Sequence, residues 1–390
     1  MIGGVSISDL ATRVGQTPFY AYDKQRITQR IKLVKQVLPA EIKLHYALKA
    51  NPMPELVQHV ASLVDGFDLA SDGEMKIALN SKMPAQAISF AGPGKSLSEL
   101  RNAITEGITI NLESTLELER VSTLASELDI TPRVAIRVNP DFELKSSGMK
   151  MGGGPSPFGI DAEKVPEVLH QLKKAPVDFL GFHIFSGSQN LNANAIMEAQ
   201  TKTLQLAYEL AAHAPSPVRL LNIGGGFGIP YFPGDSPLDI VSIGKHLQSL
   251  LPEFTTRLPE AKLIIELGRY LVGEAGVYVC KITDKKISRG QVFYVTDGGL
   301  HHHLAASGNF GQVIRKNYPI VIGTKMNSSA SETASVVGPL CTPLDKLADK
   351  MPLAKADIGD LVAILQSGAY GLTASPTGFL SHPLPAEILI

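Results

Sequence analysis

The sequence predicts an α/β protein in which a parallel (β/α)8 barrel, or TIM barrel, is followed by a second, β-rich domain. Eight short apolar segments alternate with helix-like segments over about 240 residues, and this count suits a closed barrel better than an open sheet. From about residue 271 the segments are β-rich and punctuated by turns, without long helices between them. The length of 390 residues accommodates both domains.

Each element of the barrel, expected over residues 24–270, has a local signal. Apolar residues at helical spacing (Ile27, Ile31, Val34 and Val37) predict a first helix over residues 24–38. Further helices are predicted over residues 54–64, 97–106, 114–127 and 193–213. The predicted strands are, in order, IKLHYALK, GFDLA, AISFAG, TINLE, RVAIRVN, FLGFHIF, RLLNIGGG and KLIIEL.

The second domain is expected to combine residues 271–390 with the N-terminal residues 1–23. Segments such as VFYVTDGG and GDLVAILQSGAY predict strands of a β-sandwich or a β-barrel-like sheet. The N-terminal segment PFYAYD also looks like a strand. Because it precedes the first barrel helix, we expect it to join the sheet of the second domain.

The charge balance argues against nucleic acid or an anionic membrane as a partner. Lys and Arg number 36 against 37 for Asp and Glu, which leaves a net charge of −1. The two cysteines, Cys280 and Cys341, are far apart and do not suggest a disulfide scaffold. The N-terminus has no secretory pattern, and no apolar run has a membrane-spanning length. We therefore expect a cytoplasmic protein.

The segment LHYALKANP raises the question of what a lysine does at the end of an apolar strand. In a strand, Lys49 would lie on the same face as His45 and Ala47. If both faces were covered, the lysine would be buried, and burial lowers the pKa of an amine and favours its nucleophilic form. The alternative is a lysine at the wet end of the strand. The segment alone leaves both interpretations open.

Two other strand ends predict cofactor chemistry, each with a structural alternative. The glycines of NIGGGF could bring backbone N–H groups to a phosphate, or could form a tight turn. Glu266, in IIELGR, could hold a cationic ring nitrogen protonated, or could pair with Arg269. Without a Walker lysine or dinucleotide-type spacing, a phosphorylated cofactor suits these features better than a nucleotide.

The segment DGGLHHHLAAS and the loop cysteine Cys341 are ambiguous. Three consecutive histidines point in different directions and rarely converge on one ion, so the sequence predicts no metal site. Cys341 in GPLCTPL is an inert small side chain or, if exposed, a reactive thiol.

Several ordered motifs along nearly the whole chain resemble the fold-type III pyridoxal-phosphate decarboxylases, which include diaminopimelate, ornithine and arginine decarboxylases. HYALKANP is similar to the segment with the Schiff-base lysine, GFDLASDGE to the next family segment, and ELGR to the segment facing the pyridine nitrogen. The resemblance implies an alanine racemase-like fold, pyridoxal 5'-phosphate as the cofactor, and a homodimer with shared active sites.

The resemblance also implies the site residues. Lys49 would anchor the cofactor, with Asp68 and Glu74 near that lysine. Glu266 would face the ring nitrogen, and Cys341 of the second subunit would donate a proton. The remaining implied cofactor-binding residues are Arg137 near the phenolic oxygen, His183, Phe185 at the position of a stacking histidine, Ser188, Gly224, Gly225 and Gly226 at the phosphate, Gly268, Arg269 and Tyr370.

Departures from the family pattern lead to a hypothesis about the substrate. Thr342 follows the cysteine where diaminopimelate decarboxylases have a glutamate, residues 301–312 replace their Arg-Pro segment, and SPFG replaces SKFG. These changes remove charged groups that would bind a charged distal end of the substrate. The pattern resembles the subgroup acting on a glutamyl unit linked to an acyl-carrier protein, and enzymes of exosortase-linked clusters.

Alternatives to this hypothesis are a diaminopimelate decarboxylase proper, an amino-acid racemase, and a non-catalytic cofactor-binding homologue. Racemases of this barrel class place an arginine at the ring nitrogen, so Glu266 argues against a racemase. The segment KSSGMKMGGGPSP is interpreted as a solvated loop, with a lid or a docking surface as alternatives.

Overall fold

The computed structural model describes residues 1–143, 145, 148–150, 152–312 and 314–390. They form two compact units. The barrel unit consists of Arg30–Ile229 and Ser236–Tyr270, and the sheet unit consists of Met1–Gln29, Pro230–Asp235 and Leu271–Ile390.

The elements are numbered along the described chain. The strands are β1 (Phe19–Tyr22), β2 (Lys43–Ala47), β3 (Gly66–Leu69), β4 (Ile88–Phe90), β5 (Thr109–Leu112), β6 (Arg133–Asn139), β7 (Met149–Lys150), β8 (Ile160–Asp161), β9 (Asp178–Ile184), β10 (Gly187–Ser188), β11 (Leu220–Gly225), β12 (Lys262–Leu267), β13 (Gly276–Ser288), β14 (Gln291–Thr296), β15 (Ile320–Ile322), β16 (Glu332–Val337), β17 (Lys346–Leu353), β18 (Leu361–Ile364) and β19 (Ala386–Leu389). The α-helices are α1 (Ile7–Val14), α2 (Lys24–Val37), α3 (Pro54–Ala61), α4 (Asp72–Asn80), α5 (Leu97–Glu106), α6 (Thr115–Leu128), α7 (Val165–Leu172), α8 (Ala193–Ala211), α9 (Ile240–Arg257) and α10 (Arg269–Val272).

The barrel unit contains the predicted closed parallel barrel. Its strands follow the order β5, β4, β3, β2, β12, β11, β9 and β6, and pairing of β5 with β6 closes the ring. All eight neighbouring pairs are parallel. The eight strands are those predicted, because their apolar runs are long enough only for strands and are buried on both faces.

The predicted barrel helices are present with small shifts of their ends. The helix predicted over residues 54–64 is α3, which ends at Ala61. Helices α4, α7 and α9 were not individually predicted. Helix α4 is capped by Ser71, whose side chain accepts a hydrogen bond from the backbone N–H of Glu74, and α9 is capped by Asp239, whose side chain accepts one from the backbone N–H of Ser242.

The sheet unit contains a mixed eight-stranded sheet. Its central path is β15, β18, β13, β14, β16 and β17, with β1 added to β13 and β19 added to β1. Phe19 pairs with Val279 of β13 in an antiparallel ladder and with Ala386 of β19 in a parallel one. The N-terminal PFYAYD segment thus joins the β-rich sheet, as the sequence predicts. All four residues of β1 are buried, which explains why the strand is apolar on both faces.

Two further expectations concern particular segments. Of the segment KSSGMKMGGGPSP, residues Ser146, Ser147 and Met151 lie outside the described residues. Within the described part of the chain, none of the helices combines the length and the apolar character needed to cross a membrane.

Candidate active site

The residues singled out in the barrel unit lie mostly at one rim of the barrel. Because all its strands are parallel, their carboxyl ends share this rim. Lys49 lies two residues after the end of β2, and His183 and Glu266 are the penultimate residues of β9 and β12. Gly224 and Gly225 end β11.

Lys49 is more open than the strand interpretation suggests. Strand β2 ends at Ala47, and Lys49 lies in a single 3-10 turn over Leu48–Ala50. Its side chain is 43% exposed, so of the two interpretations left open by the sequence the structure favours the lysine at the wet end of the strand. Its Nζ atom lies 4.0 Å from Glu266 Oε1 and 5.7 Å from the ring centroid of Phe185. The amine therefore faces a carboxylate and an aromatic ring and is open to a ligand.

Glu266 is a buried carboxylate whose side chain is only 9% exposed. Its Oε2 atom lies 3.3 Å from His183 Nε2. Burial acts to raise the pKa of Glu266, but its contact with His183 and the charge of Lys49 lower the pKa to about 2. The group is therefore anionic at neutral pH and can stabilise a cation placed against it.

His183 and Phe185 lie next to this carboxylate. The His183 ring is buried, its Nε2 atom faces Glu266, and its Nδ1 atom has no hydrogen-bond partner among the residues that the structure describes. A buried ring nitrogen without a hydrogen bond is costly unless a ligand or water satisfies it. Phe185 is half-buried and offers a ring face beside the Lys49 amine. The pair leaves an unsatisfied polar atom and an aromatic surface at the rim.

The glycine run after β11 is required by space and by backbone conformation. Gly224 and Gly226 have positive φ angles of 63° and 74°. A Cβ atom on Gly224 would overlap the Phe185 ring, and one on Gly225 would overlap the backbone oxygen of Glu266. The run therefore brings bare backbone next to the Glu266 site, as a phosphate cradle requires.

Three more predicted residues of the barrel unit follow strand ends. Ser188 is half-buried in β10, which pairs with β7. Gly268 lies close to the turn that carries Lys49: a Cβ atom added to Gly268 would be 3.0 Å from the Cβ atom of Ala50. Arg269 begins α10 and is half-buried. All three follow rim strands within a few residues, where a cofactor would be held.

Asp68 takes part in a hydrogen-bond network between strands of the barrel. Its carboxylate is buried and contacts His45 Nδ1 at 3.1 Å, Ser89 Oγ, and Asn222 Nδ2 at 3.4 Å. The side chains of Ser89 and Asn222 were missed in the sequence, because polar residues inside apolar strands are not distinguishable from surface positions by pattern alone. The network fixes the orientation of the Asp68 carboxylate near the end of β3.

Glu74 lies near Lys49 and Glu266. Its Oε2 atom accepts a hydrogen bond of 2.7 Å from the N–H of Ala70. Burial raises the pKa of Glu74; the Ala70 N–H and the charge of Lys49 oppose that rise, and the Glu266 carboxylate adds to it. Glu74 is therefore close enough to Lys49 and Glu266 for their charges to affect its pKa.

Glu113 is a rim residue that the sequence analysis missed. Its side chain is 3% exposed and accepts hydrogen bonds of 3.0 Å from Arg137 Nη1 and 3.0 Å from Gly159 N, and a third from Gly92 N. Burial would raise the pKa of Glu113, but Arg137 and Lys95 hold it below its usual value. Its position at the end of the segment TINLE, directly after β5, was a signal, since the other candidates also lie at strand ends. Glu113 therefore fixes the orientation of Arg137.

We expect Glu113→Gln to lower the free energy of unfolding by about 3 kcal/mol or more at pH 7, because removing one partner leaves a buried guanidinium uncompensated. The folded pKa is depressed, so this contribution is present above the unfolded pKa of about 4.3 and is lost as the pH falls through the folded value. Urea unfolding measures the change. Glu127→Gln, in an exposed pair with Arg101, is the control and should cost under about 1 kcal/mol. Equal losses in both variants would contradict the expectation.

The remaining two predicted residues belong to the sheet unit. Cys341 is an exposed free thiol in the turn between β16 and β17. Tyr370 has a positive φ of 53°, and its ring stacks on that of Phe310 with centroids 6.2 Å apart. Among the described residues, no group of three His, Cys, Asp or Glu side chains is placed to hold a metal ion.

The fold is that of the pyridoxal-dependent decarboxylases, and the chain belongs to this family. Residues 24–273 match the family model described as "Pyridoxal-dependent decarboxylase, pyridoxal binding domain". The chain is therefore an enzyme of the carboxy-lyase class, and its cofactor is pyridoxal phosphate.

Individual relatives show the range of this similarity. The chain is 39% identical over 384 residues to the L-glutamyl-[BtrI acyl-carrier protein] decarboxylase of Niallia circulans, covering 97% of this chain and 90% of the relative. It is 32% identical over 395 residues to the diaminopimelate decarboxylase of Aquifex aeolicus, covering 100% and 90%. The crystal structure of Helicobacter pylori diaminopimelate decarboxylase complexed with L-lysine superposes with a TM-score of 0.87, at 28% identity and 98% and 94% coverage.

The residues present at the rim fit pyridoxal phosphate. The exposed Lys49 amine can reach an aldehyde, the anionic Glu266 can face a cationic ring nitrogen, and the glycine run suits a phosphate. The Nδ1 atom of His183, which has no hydrogen-bond partner among the described residues, offers a further polar contact.

Proposed function

We propose that the enzyme decarboxylates an L-amino acid or an amino acyl unit whose distal end is uncharged, of the glutamyl type linked to an acyl-carrier protein. The observation that carries the proposal is the 4.0 Å approach of the Lys49 amine to the buried Glu266 carboxylate at the glycine-lined rim. This pair supplies the covalent anchor and the counter-charge that amino-acid decarboxylation requires.

Each proposed role follows from the chemistry of the side chain. When bound, the cofactor withdraws the electron pair left as the substrate carboxylate departs as carbon dioxide. Lys49 anchors the aldehyde carbon, and Glu266 holds a proton on the ring nitrogen. Cys341, an exposed thiol, or Lys49 returns a proton to the carbon that lost carbon dioxide.

The remaining rim residues are proposed to hold and orient the cofactor. Arg137, fixed by Glu113, presents its other N–H groups to the phenolic oxygen. Phe185 packs against the ring where relatives have histidine, which keeps an aromatic contact without a proton to donate. Ser188, Arg269 and the run Gly224–Gly226 are proposed to hold the phosphate, and the family resemblance implies a phosphate contact for Tyr370 as well.

The substrate assignment is supported by missing charges. Thr342 follows Cys341, Pro157 stands in SPFG, and the 301–312 segment contains no basic residue besides its histidines. Two of these histidines, His301 and His303, have pKa values lowered to about 3 by burial and are neutral at physiological pH. A distal carboxylate would therefore meet no cation from these segments, whereas a thioester or amide requires none.

Diaminopimelate decarboxylase is the second candidate function. The 32% identity to the Aquifex aeolicus relative over the whole chain favours it. A diaminopimelate enzyme must bind a second zwitterionic end, for which the replaced segments offer no evident ion partner. We therefore rank it below the carrier-linked assignment.

A substrate panel with carbon dioxide release as the readout separates the candidates. Carrier-linked L-glutamate is expected to turn over with a kcat/KM at least about 100-fold above that for diaminopimelate, since a site without ion partners discriminates strongly against an added charge. Free glutamate, lysine, ornithine and arginine complete the panel. A preference for diaminopimelate would refute the masked-end hypothesis and leave the decarboxylase class intact.

We further propose a cytoplasmic homodimer in which Cys341 serves the active site of the partner. The two free cysteines suit a reducing compartment, and an exposed thiol suits donation to a second subunit. Mixing a Lys49→Ala chain with a Cys341→Ala chain tests this arrangement. Partial recovery of activity in the mixture would support active sites shared between subunits. A mixture that recovers no activity would contradict them.

A further inference from the structure

We propose that Asp345 is a positioning residue for Cys341. It would act by hydrogen-bonding the cysteine loop (residues 338–345) to the backbone of the triple-histidine segment (residues 299–303). The inference rests on the proposed role of Cys341 as a proton donor. It also explains the segment GGLHHH, which the decarboxylase chemistry does not use directly.

Asp345 connects two segments that are distant in sequence. It is buried, at 2% exposure. Its Oδ1 atom accepts a hydrogen bond of 2.6 Å from the N–H of Leu300, and its Oδ2 atom accepts one of 2.9 Å from the N–H of Leu340. Leu300 precedes the histidines directly, and Leu340 precedes Cys341. Both carboxylate oxygens are therefore used to hold the cysteine loop against the histidine segment.

Two glycines make room for this carboxylate. A Cβ atom on Gly299 would overlap Oδ1 of Asp345, and one on Gly338 would overlap Oδ2. Neither glycine has a positive φ, so space and not backbone conformation is the reason for glycine. The N–H of Gly338 also donates a hydrogen bond of 3.1 Å to the backbone oxygen of Asp345, which closes the loop around the cysteine.

The histidine segment is itself held rigidly. His302 Nδ1 lies 3.1 Å from the hydroxyl of Tyr278, and its Nε2 lies 2.9 Å from the carbonyl oxygen of Pro383. His303 Nε2 lies 2.9 Å from Ser367 Oγ. Both rings are buried and are held by hydrogen bonds. The segment therefore provides a fixed platform, and Asp345 transmits its position to Cys341.

The chemistry of the two hydrogen bonds selects aspartate at this position. An asparagine has the same shape, but its NH2 group would have to face one of the two N–H donors. One hydrogen bond would be lost, and a buried donor would remain unsatisfied. A serine or alanine would lose both.

The test compares Asp345→Asn and Gly338→Ala with a matched control, Asp349→Asn, which lies in the same sheet unit and contacts Ser335 and Lys346 instead. Amide hydrogen exchange is measured over residues 299–308 and 338–345 of the holoenzyme. Alkylation of Cys341 is measured in parallel. Because Cys280 is fully buried, its labelling reports global unfolding and serves as an internal control.

For Asp345→Asn and Gly338→Ala we expect exchange in one or both segments to accelerate about tenfold or more, as the loss of a buried hydrogen bond implies. The alkylation rate of Cys341 should change at least about threefold while Cys280 stays unlabelled, and kcat should fall about tenfold with KM within about twofold, as expected for a displaced proton donor. The absorbance of the bound cofactor should not change. The control should match the wild-type protein in every measurement.

Wild-type exchange and labelling in both variants would overturn the inference. If Cys341→Ser retained the full kcat, the proposed proton donor would be wrong, but the exchange and labelling results would still decide whether Asp345 positions the loop. The two failures are thus distinguishable.

Discussion

Lys49→Ala is expected to remove the near-visible absorbance of the lysine-bound cofactor and to lower kcat by at least about 10³-fold, within the range that positioned proton-transfer groups contribute. The side chain is 43% exposed and stands 4.0 Å from Glu266, so it is accessible to an aldehyde and lies beside the carboxylate that would face the ring. Alanine offers no amine, so the covalent anchor is lost together with a group that can move a proton.

Absorbance spectra and borohydride reduction followed by peptide mapping measure this effect. In the wild-type protein the reduced cofactor should be found on the peptide that contains Lys49. Lys76→Ala is a suitable control, because Lys76 lies on α4 with a side chain 71% exposed and pairs with Asp72. If Lys49→Ala retained the absorbance, another lysine would be the anchor, and the assignment of the site would have to be withdrawn.

Glu266→Gln is expected to lower kcat by about 10²- to 10³-fold, comparable to the loss of one electrostatic stabiliser in other active sites. At a separation near 3 Å and an effective dielectric near 20, a carboxylate and a ring cation attract by about 5 kcal/mol before desolvation is subtracted. Glutamine has the same shape but no charge. It would leave the ring nitrogen without the anion that keeps it protonated.

The pH profile provides an independent check of this role. Because the pKa of Glu266 is held at about 2, the carboxylate stays ionised across the pH range in which the protein is folded, and its own titration should add no limb to the wild-type profile. In Glu266→Gln the profile of cofactor absorbance should shift, because the ring nitrogen loses its proton more readily. Glu209→Gln, on the exposed face of α8, should leave both profiles unchanged. An unchanged kcat in Glu266→Gln would show that the carboxylate is structural.

The barrel strands were predictable from sequence because their signal is local. A parallel barrel strand is buried on both faces, so segments such as RVAIRVN and KLIIEL are apolar throughout, and eight of them separated by helices point to one architecture. The end of a strand is less well determined. β2 stops at Ala47 because the chain turns at Leu48–Ala50, and this turn leaves Lys49 exposed although the apolar pattern continues to Leu48.

The site was predictable to the extent that its residues occur at strand ends and in family motifs. Their partners were not, because these contacts join residues that are distant in the chain. Glu113 reaches Arg137 across neighbouring strands, and His183 meets Glu266 only where β9, β11 and β12 lie side by side. No local pattern encodes such distances.

The sequence by itself determined the (β/α)8 barrel with its β-rich companion, the decarboxylase class and the candidate anchor Lys49, because apolar periodicity and short motifs are properties of contiguous residues. Only the tertiary structure decided that the Lys49 side chain is exposed to solvent and that Glu266 is held as an anion. It also decided that Asp345 accepts hydrogen bonds from the backbone of two segments distant in sequence, at Leu300 and Leu340. Burial and electrostatic environment depend on which strands and loops become neighbours, and that is settled only when the whole chain folds.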